Sequence, residues 1–249
     1  PAGEHWARNA PGWVTQYAGH PRGRAVIDTV SCPWPDRFDR ETDHSLHAAW
    51  SMGHLGNDIT PGALERAGMA AKGSLRQAVG THGGFVRLRM SYMPESDTPL
   101  IPEDRCPYEE LAYLTRAAYF ILEDDTAFAL FVPSADRVYS DRDVWMTFDR
   151  AFGESRKMTR LWTGRRHRSL DDGTSVVELL GYKALGLEAS CLRYDEGIVS
   201  RDEAFAASAR LTEHLVHSSG LTEFTDAQNR VWTADPRDAD ANSVTWSLA

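Results

Sequence analysis

The sequence predicts an α+β fold in which two similar sheet-and-helix units share one hydrophobic core. Three observations predict it. In the first half, an alternating segment precedes a helical stretch, and a short apolar run follows that stretch; the second half then repeats the order of strand, helix and strand. In each half the helix begins with acidic residues, which the helix dipole favours at that end. The order suggests a duplicated unit, without the residue-level identity that would prove duplication.

Residues 85–132 carry the clearest pattern. In Phe85–Tyr92 every second residue from Val86 onward is apolar, which predicts a strand with one buried face. Arg87 and Arg89 fall on the opposite face. They either line a polar groove or pair with acids on a neighbouring strand, and we favour the pairing.

A helix with an apolar stripe follows this strand. Pro107 suits the first helical position, and Glu109 and Glu110 suit the first turn because the helix dipole favours negative charge there. The apolar run Ala127–Val132 is short enough to predict a buried strand. The stripe consists of Leu111, Leu114, Ala118 and Ile121, which recur at helical spacing.

The remainder of the first half adds shorter elements. Thr60 and Pro61 have the residue types of an N-cap and a first helical position. Residues 1–24 are predicted to be irregular, with Trp6 and Trp13 packing onto the main body. The predicted elements are strands at Ala25–Val30 and Leu46–Met52 and helices at Thr60–Gly80 and Ser140–Phe152.

The second half begins near the polar run Gly153–Lys157. Ser200 and Glu203 have the spacing of a capping box, which predicts a helix that ends near Gly220. The predicted strands are Leu161–Leu170, Val176–Leu180 and a hairpin of Leu221–Thr225 with Arg230–Thr233. We therefore predict an N-terminal extension at 1–24, a first unit at 25–153, a second unit at 154–233 and a polar tail at 234–249, which Trp246 anchors.

Composition and charge argue against several classes of function. The net charge is −9, which disfavours general binding to nucleic acid or to anionic membranes. No apolar run approaches the ~20 residues that span a bilayer, and Pro1–Trp6 lacks the features of a signal peptide. Three widely spaced cysteines argue against a disulfide framework or a zinc knuckle. We therefore expect a cytoplasmic protein without a cofactor.

One catalytic hypothesis centres on the loops that follow the first two predicted strands. His54 lies between Gly53 and Gly56, so its ring can be exposed and can act as a general base near neutral pH. Asp36 and Glu65 belong to the same group of loops, and the three residues together predict a hydrolase-type site. A loop histidine bonded to backbone is the simpler interpretation of His54.

A second hypothesis rests on the dense basic segment around Arg165, Arg166 and Arg168. These residues have the character of a contact for phosphate, for nucleic acid or for an acidic partner protein. A charged edge strand that discourages aggregation explains the same residues. Because the whole chain is acidic, we favour the edge strand over nucleic acid.

Two pairs of histidines have a spacing that metal ligands also use, His44 with His47 and His214 with His217. In a strand, the first pair would point to opposite faces. In the second pair, the dipole of the helix C-terminus explains both residues without a metal. The run that begins at Asp238 lacks the glycine and the closing glutamate of a calcium loop. We therefore predict no metal site.

Five segments follow one another in an order that resembles a bacterial family of unknown function. The resemblance covers roughly residues 25–232, and Trp34-Pro35-Asp36 is its clearest motif. The chain departs from the family's pattern at Arg37–Asp39 and at the turn Asp226–Asn229. The resemblance implies the order of the elements and no activity. The segments are Cys32–Asp36, Ala49–Gly53, Pro61–Ala67, Phe85–Tyr92 and Gly181–Leu187.

The sequence thus favours a non-enzymatic protein-binding module, of an accessory or toxin-neutralising kind, over an enzyme. It contains no catalytic motif, and it combines an acidic surface with aromatic residues in short loops, which suit interface anchors. We expect Trp34 and Trp50 to serve as such anchors and the partner to be another protein.

Overall fold

The computed structural model describes residues 12–37, 60–95, 101–154, 158–218, 220–235 and 243–249, together with positions 41, 43, 44, 47, 48 and 99. The chain divides into two compact units between Met158 and Thr159, five residues beyond the predicted boundary. Each unit contains helices and a sheet, so the predicted α+β class is confirmed.

The first unit contains a three-stranded antiparallel sheet in the order β1-β2-β3 and a hairpin of β4 with β5. Its helix α3 packs against β3. The elements are β1 Gly12–Gln16, β2 Gly23–Val30, α1 Ala63–Ala70, α2 Gly73–Thr81, β3 Phe85–Tyr92, α3 Pro107–Ile121, β4 Ala129–Val132, β5 Arg137–Ser140 and α4 Asp141–Glu154.

The strand, helix and strand predicted in residues 85–132 are all present, as β3, α3 and β4. However, β3 and β4 belong to different sheets. Tyr92 at the end of β3 donates a hydrogen bond to Glu110 on α3, which fixes the helix on that face. On the other face, Arg87 and Arg89 both bond to Asp28 on β2, at 2.7 and 3.2 Å. The predicted pairing with an acid on a neighbouring strand is therefore confirmed.

Three predictions for the first unit are wrong. Residues 12–16 form β1 instead of an irregular extension, and Trp13 on that strand is 65% exposed instead of packed. In the segment predicted as a second strand, His47 and Ala48 are helical. The single helix predicted from Thr60 is two helices, because Ala71 and Lys72 adopt extended conformations.

The second unit is a six-stranded sheet in the order β6-β7-β8-β11-β10-β9, in which only β8 and β11 are parallel. One face packs against helix α6, and the predicted capping box of Ser200 and Glu203 is present at its start. The elements are α5 Thr159–Trp162, β6 Gly164–Ser169, β7 Thr174–Leu180, β8 Ala189–Asp195, α6 Arg201–His217, β9 Glu223–Thr225, β10 Val231–Asp235 and β11 Ser243–Leu248.

The hydrophobic core of the second unit includes the segment that was predicted to be a tail. Residues 243–248 form β11 between β8 and β10, and the side chain of Trp246 is buried beside Trp232 and Leu192. The predicted hairpin is confirmed as β9 and β10. The start of the strand predicted at Leu161 is wrong, because residues 159–162 are helical.

The predicted repeat is not confirmed. The first unit has a three-stranded antiparallel sheet and a separate hairpin, whereas the second has one mixed sheet of six strands. Similar local orders of strand and helix thus arise in two different topologies, because hydrophobic periodicity specifies an element and not its neighbours in a sheet.

Candidate functional site

The candidate site is a groove of about 810 Å³ in the first unit, between the end of α3 and the start of α4. We name it the aromatic groove. Three aromatic side chains and two aliphatic ones form its apolar surface, and charged side chains surround them. Its lining residues are Tyr119, Leu122, Glu123, Asp124, Asp125, Ala127, Phe128, Asp141, Arg142 and Trp145.

Hydrogen bonds within the chain hold one wall of the aromatic groove. Past the end of α3, the Asp124 carboxylate accepts bonds from the backbone N–H and the hydroxyl of Thr126, at 2.8 and 2.6 Å. The backbone N–H of Ala127 bonds to the Asp124 carbonyl at 2.9 Å. These bonds close a turn of the kind that aspartate favours, and the turn leads directly to Phe128.

The opposite wall begins with a capping box. The Ser140 hydroxyl accepts a bond from the Asp143 backbone N–H at 3.2 Å, and the Asp143 carboxylate accepts bonds from the Ser140 backbone N–H and hydroxyl. Such reciprocal bonds fix the first turn of a helix. Asp141, Arg142 and Trp145 therefore project from a fixed turn of α4.

Two aromatic rings in the groove remain open to solvent. The side chains of Trp145 and Phe128 are 52% and 41% exposed. Tyr119 also lines the groove, and its ring centroid is 5.6 Å from that of Phe148 on α4. Both rings line the same groove, and exposed apolar groups of this size beside polar ones are a common feature of contact surfaces.

The charge of the aromatic groove is negative. Four carboxylates and one guanidinium line it. The carboxylates of Glu123, Asp125 and Asp141 make no hydrogen bond or ion pair in the described part of the chain. Hydrogen bonds from Thr126 lower the pKa of Asp124, which keeps its carboxylate charged. The carbonyl groups at the C-terminus of α3 add negative potential.

No family model, curated protein or solved structure matches this chain. None of the described helices is both long enough and apolar enough to cross a membrane. Across the described ranges, His, Cys, Asp and Glu side chains form no group of three or more that could hold a metal ion.

The predicted hydrolase site is described only in part, since His54 lies outside the described residues. Trp50, a predicted interface anchor, also lies outside them. Asp36 has a structural role: its carboxylate accepts the backbone N–H groups of Leu64 and Glu65 at 2.6 and 2.7 Å. It thereby caps α1, in the place of the predicted cap Thr60. The Glu65 side chain forms an ion pair with Arg37.

Trp34 is half-buried, with its ring centroid about 5 Å from those of Phe85 and Phe131. Its backbone N–H bonds to His82 at 2.7 Å. The ring is therefore engaged in packing, which differs from the exposed position expected of an interface anchor.

The predicted basic site lies on β6, an edge strand of the six-stranded sheet. Arg166 and Arg168 share one face and approach the Glu178 carboxylate on β7 to 3.6 and 3.3 Å. Arg165 lies on the other face, because side chains alternate along a strand. The structure thus separates the three arginines and pairs two of them with an acid, which supports the edge-strand interpretation.

Sequence reasoning missed the residues of the aromatic groove. The acidic run Glu123–Asp125 follows the predicted apolar stripe, and Trp145 lies within the helix predicted at Ser140–Phe152, but neither was assigned to a site. A signal was present, since Phe128 lies three residues after the acidic run, and Trp145 lies four residues after Asp141.

Proposed function

We propose that the protein is a non-enzymatic protein-binding module and that the aromatic groove is its contact surface. One observation carries this proposal: Trp145 and Phe128 remain exposed in a single groove whose walls are fixed by hydrogen bonds. Tryptophan and tyrosine are enriched among the residues that dominate binding energy at protein interfaces. A preformed groove also avoids the entropy cost of ordering a loop on binding.

The exposed apolar area is large enough to matter for affinity. A tryptophan side chain buries about 150–250 Å² when fully covered. Covering the exposed half of Trp145 would therefore remove roughly 100 Å² from water, which corresponds to about 2.5 kcal/mol. Phe128 adds a smaller contribution of the same kind.

The residues that line the groove do not form a nucleophile–base pair. Among the described lining residues there is no histidine, cysteine, serine or lysine. The lowered pKa of Asp124 is opposite to what a general acid needs at neutral pH. A hydrolase site around His54, and the resemblance to a family of unknown function, remain predictions and add no activity to this groove.

Photo-crosslinking tests the proposal. Benzoylphenylalanine replaces Phe128 in the full chain, and lysate of the source organism is irradiated with it. We expect a discrete crosslinked protein that disappears when Trp145→Ala is added. The matched control places the same photo-reactive residue at Trp13, an exposed aromatic position on β1. Equal crosslinking from positions 13 and 128, or none from 128, would contradict the proposal.

A further inference from the structure

We infer that the aromatic groove recognises a cationic segment of its partner, in which an arginine or lysine lies beside an apolar side chain. This inference rests on the proposed function and specifies the chemistry of the partner. Two observations carry it: the carboxylates of the groove select the cation, and its apolar surface selects the apolar side chain.

Charge complementarity selects the cation. Glu123, Asp125 and Asp141 line the groove without an ion pair among the described residues, and Arg142 is the single cation in the lining. Three other acids of the first unit are already paired: Asp28 with Arg87, Glu65 with Arg37 and Asp136 with Arg66. The groove therefore holds carboxylates whose charge is available to a cation from outside.

The aromatic rings also favour a cation as the ligand. A guanidinium or ammonium group is attracted to the face of an aromatic ring, and tryptophan is the most favourable of these rings. Trp145 and Phe128 present such surfaces beside carboxylates, so one cation can contact a ring and an acid together. The aliphatic stem of arginine or lysine can at the same time cover the apolar surface of the groove.

The alternative ligands fit less well. Nucleic acids and other polyanions are repelled by the excess of carboxylates. A bare divalent cation would need a cluster of ligands, and no such group of three occurs in the part of the chain that the structure describes. A bare cation would leave the apolar surface of the groove uncovered, and the bases of a single-stranded nucleic acid would stack on the rings only against the repulsion between its phosphates and the carboxylates.

Selection from a random peptide library displayed on phage tests the inference without a known partner. The full chain is the bait, and phage that also bind the Trp145→Ala variant are removed. We expect enriched peptides with a net positive charge in which arginine or lysine neighbours an apolar residue. Neutral or acidic enriched peptides would overturn the cationic inference and leave the proposed function intact. No groove-dependent enrichment would overturn both.

A synthetic consensus peptide then measures the contribution of charge. Replacing its arginines or lysines with citrulline removes the charge and retains a polar side chain of similar length, and we expect affinity to fall at least tenfold. The double variant Glu123→Gln and Asp125→Asn should weaken binding about three- to tenfold, since each exposed pair contributes up to roughly fivefold. Arg142→Gln should strengthen binding, because it removes the competing cation.

Two controls separate a specific charge effect from a general one. Asp202→Asn removes an exposed carboxylate of α6 in the second unit, and it should leave affinity unchanged. Raising the ionic strength from about 0.01 to 1 M shortens the screening length from roughly 30 to 3 Å, so the affinity of the charged peptide should fall. Citrulline and arginine peptides that bind equally well would overturn the inference.

Discussion

One carboxylate of this protein is buried and fully hydrogen-bonded, whereas three others are exposed and have no partner among the described residues. Asp226, in the β9–β10 hairpin, has a side chain with 0% exposure. Its oxygens accept backbone bonds from Gln228 and Arg230 at 2.8 and 3.0 Å and side-chain bonds from Arg230 and Trp232 at 2.7 and 3.0 Å. By contrast, Glu123, Asp125 and Asp141 are exposed and unpaired within the described residues.

The difference distinguishes a charge that holds the fold from a charge that is available for binding. Burial by itself raises the pKa of Asp226, but the hydrogen bonds from Trp232, Arg230 and Gln228 outweigh it, so the pKa is lower than usual. Every part of that carboxylate is engaged within the chain. The carboxylates of Glu123, Asp125 and Asp141 have no such partners among the described residues, so any ion pair that they make must come from a binding partner.

The largest expected effect is a loss of stability on removing the buried charge. Asp226→Ala leaves the buried Trp232 indole N–H, the Arg230 Nε–H and two backbone N–H groups without their acceptor, while the Arg230 guanidinium keeps Glu203 and Gln228. We expect the free energy of unfolding to fall by about 3–5 kcal/mol, measured by urea denaturation with circular dichroism. Asp141→Asn in the aromatic groove is the matched control, with a change within about 0.5 kcal/mol. If the two variants lose equal free energy of unfolding, the buried carboxylate does not differ from the exposed one in its contribution to the fold.

A smaller effect is expected for the carboxylate that was predicted to be catalytic. Asp36→Ala removes the acceptor of two N–H groups at the start of α1, and loss of an N-cap typically costs about 1–2 kcal/mol. Asp36→Asn retains one acceptor oxygen and should lose less. The same urea titration measures both variants, and Glu65→Gln serves as an exposed neighbouring control. A wild-type stability for Asp36→Ala would mean that the cap is dispensable.

Asp36 also shows where prediction from sequence ends. The helix at residues 63–70 follows from periodicity, but its cap comes from a residue 28 positions before Leu64, and no local spacing indicates that partner. Sequence rules place Thr60 at the cap because they consider only adjacent residues. In the structure, Gly62 precedes the helix at φ +78°, a conformation that glycine adopts without the strain of a side chain.

Prediction of the sheets and of the candidate site is limited in the same way, because both depend on contacts between residues that are far apart in the sequence. Strands β2, β3 and β7 are identified by alternation or apolar runs, whereas β11 is polar enough to resemble a tail. Only its pairing with β8 and β10 and the burial of Trp246 show that it is central. The aromatic groove likewise requires α3 and α4 to be adjacent, which sequence patterns alone do not specify.

The contribution of Asp226 to stability should depend on pH. Because the folded-state pKa of Asp226 lies below its ordinary value of 3.8, its contribution to stability is present above about pH 4 and is lost as pH falls through the folded-state pKa. The loss is about 1.4 kcal/mol for each unit between the two pKa values. Wild-type protein should therefore lose more stability between pH 5 and pH 2 than Asp226→Asn, measured by urea unfolding at each pH. Parallel pH profiles would contradict this assignment.

The smallest expected effect is on the stability of groove variants. In the double variant Glu123→Gln and Asp125→Asn, the free energy of unfolding should change by less than about 0.5 kcal/mol. The sign should be slightly favourable, because two negative charges beside the C-terminus of α3 oppose its dipole. The urea midpoint of the double variant against wild type measures this change.

Asp124→Asn is the informative control, because Asp124 lies between these two residues and its carboxylate closes the turn through Thr126. Its stability should fall below that of the double variant, although it removes only one charge. A double variant that is itself strongly destabilised would show that Glu123 and Asp125 hold the fold. If Glu123 and Asp125 are instead dispensable for stability but necessary for binding a cationic peptide, their charge serves binding, as their exposure indicates.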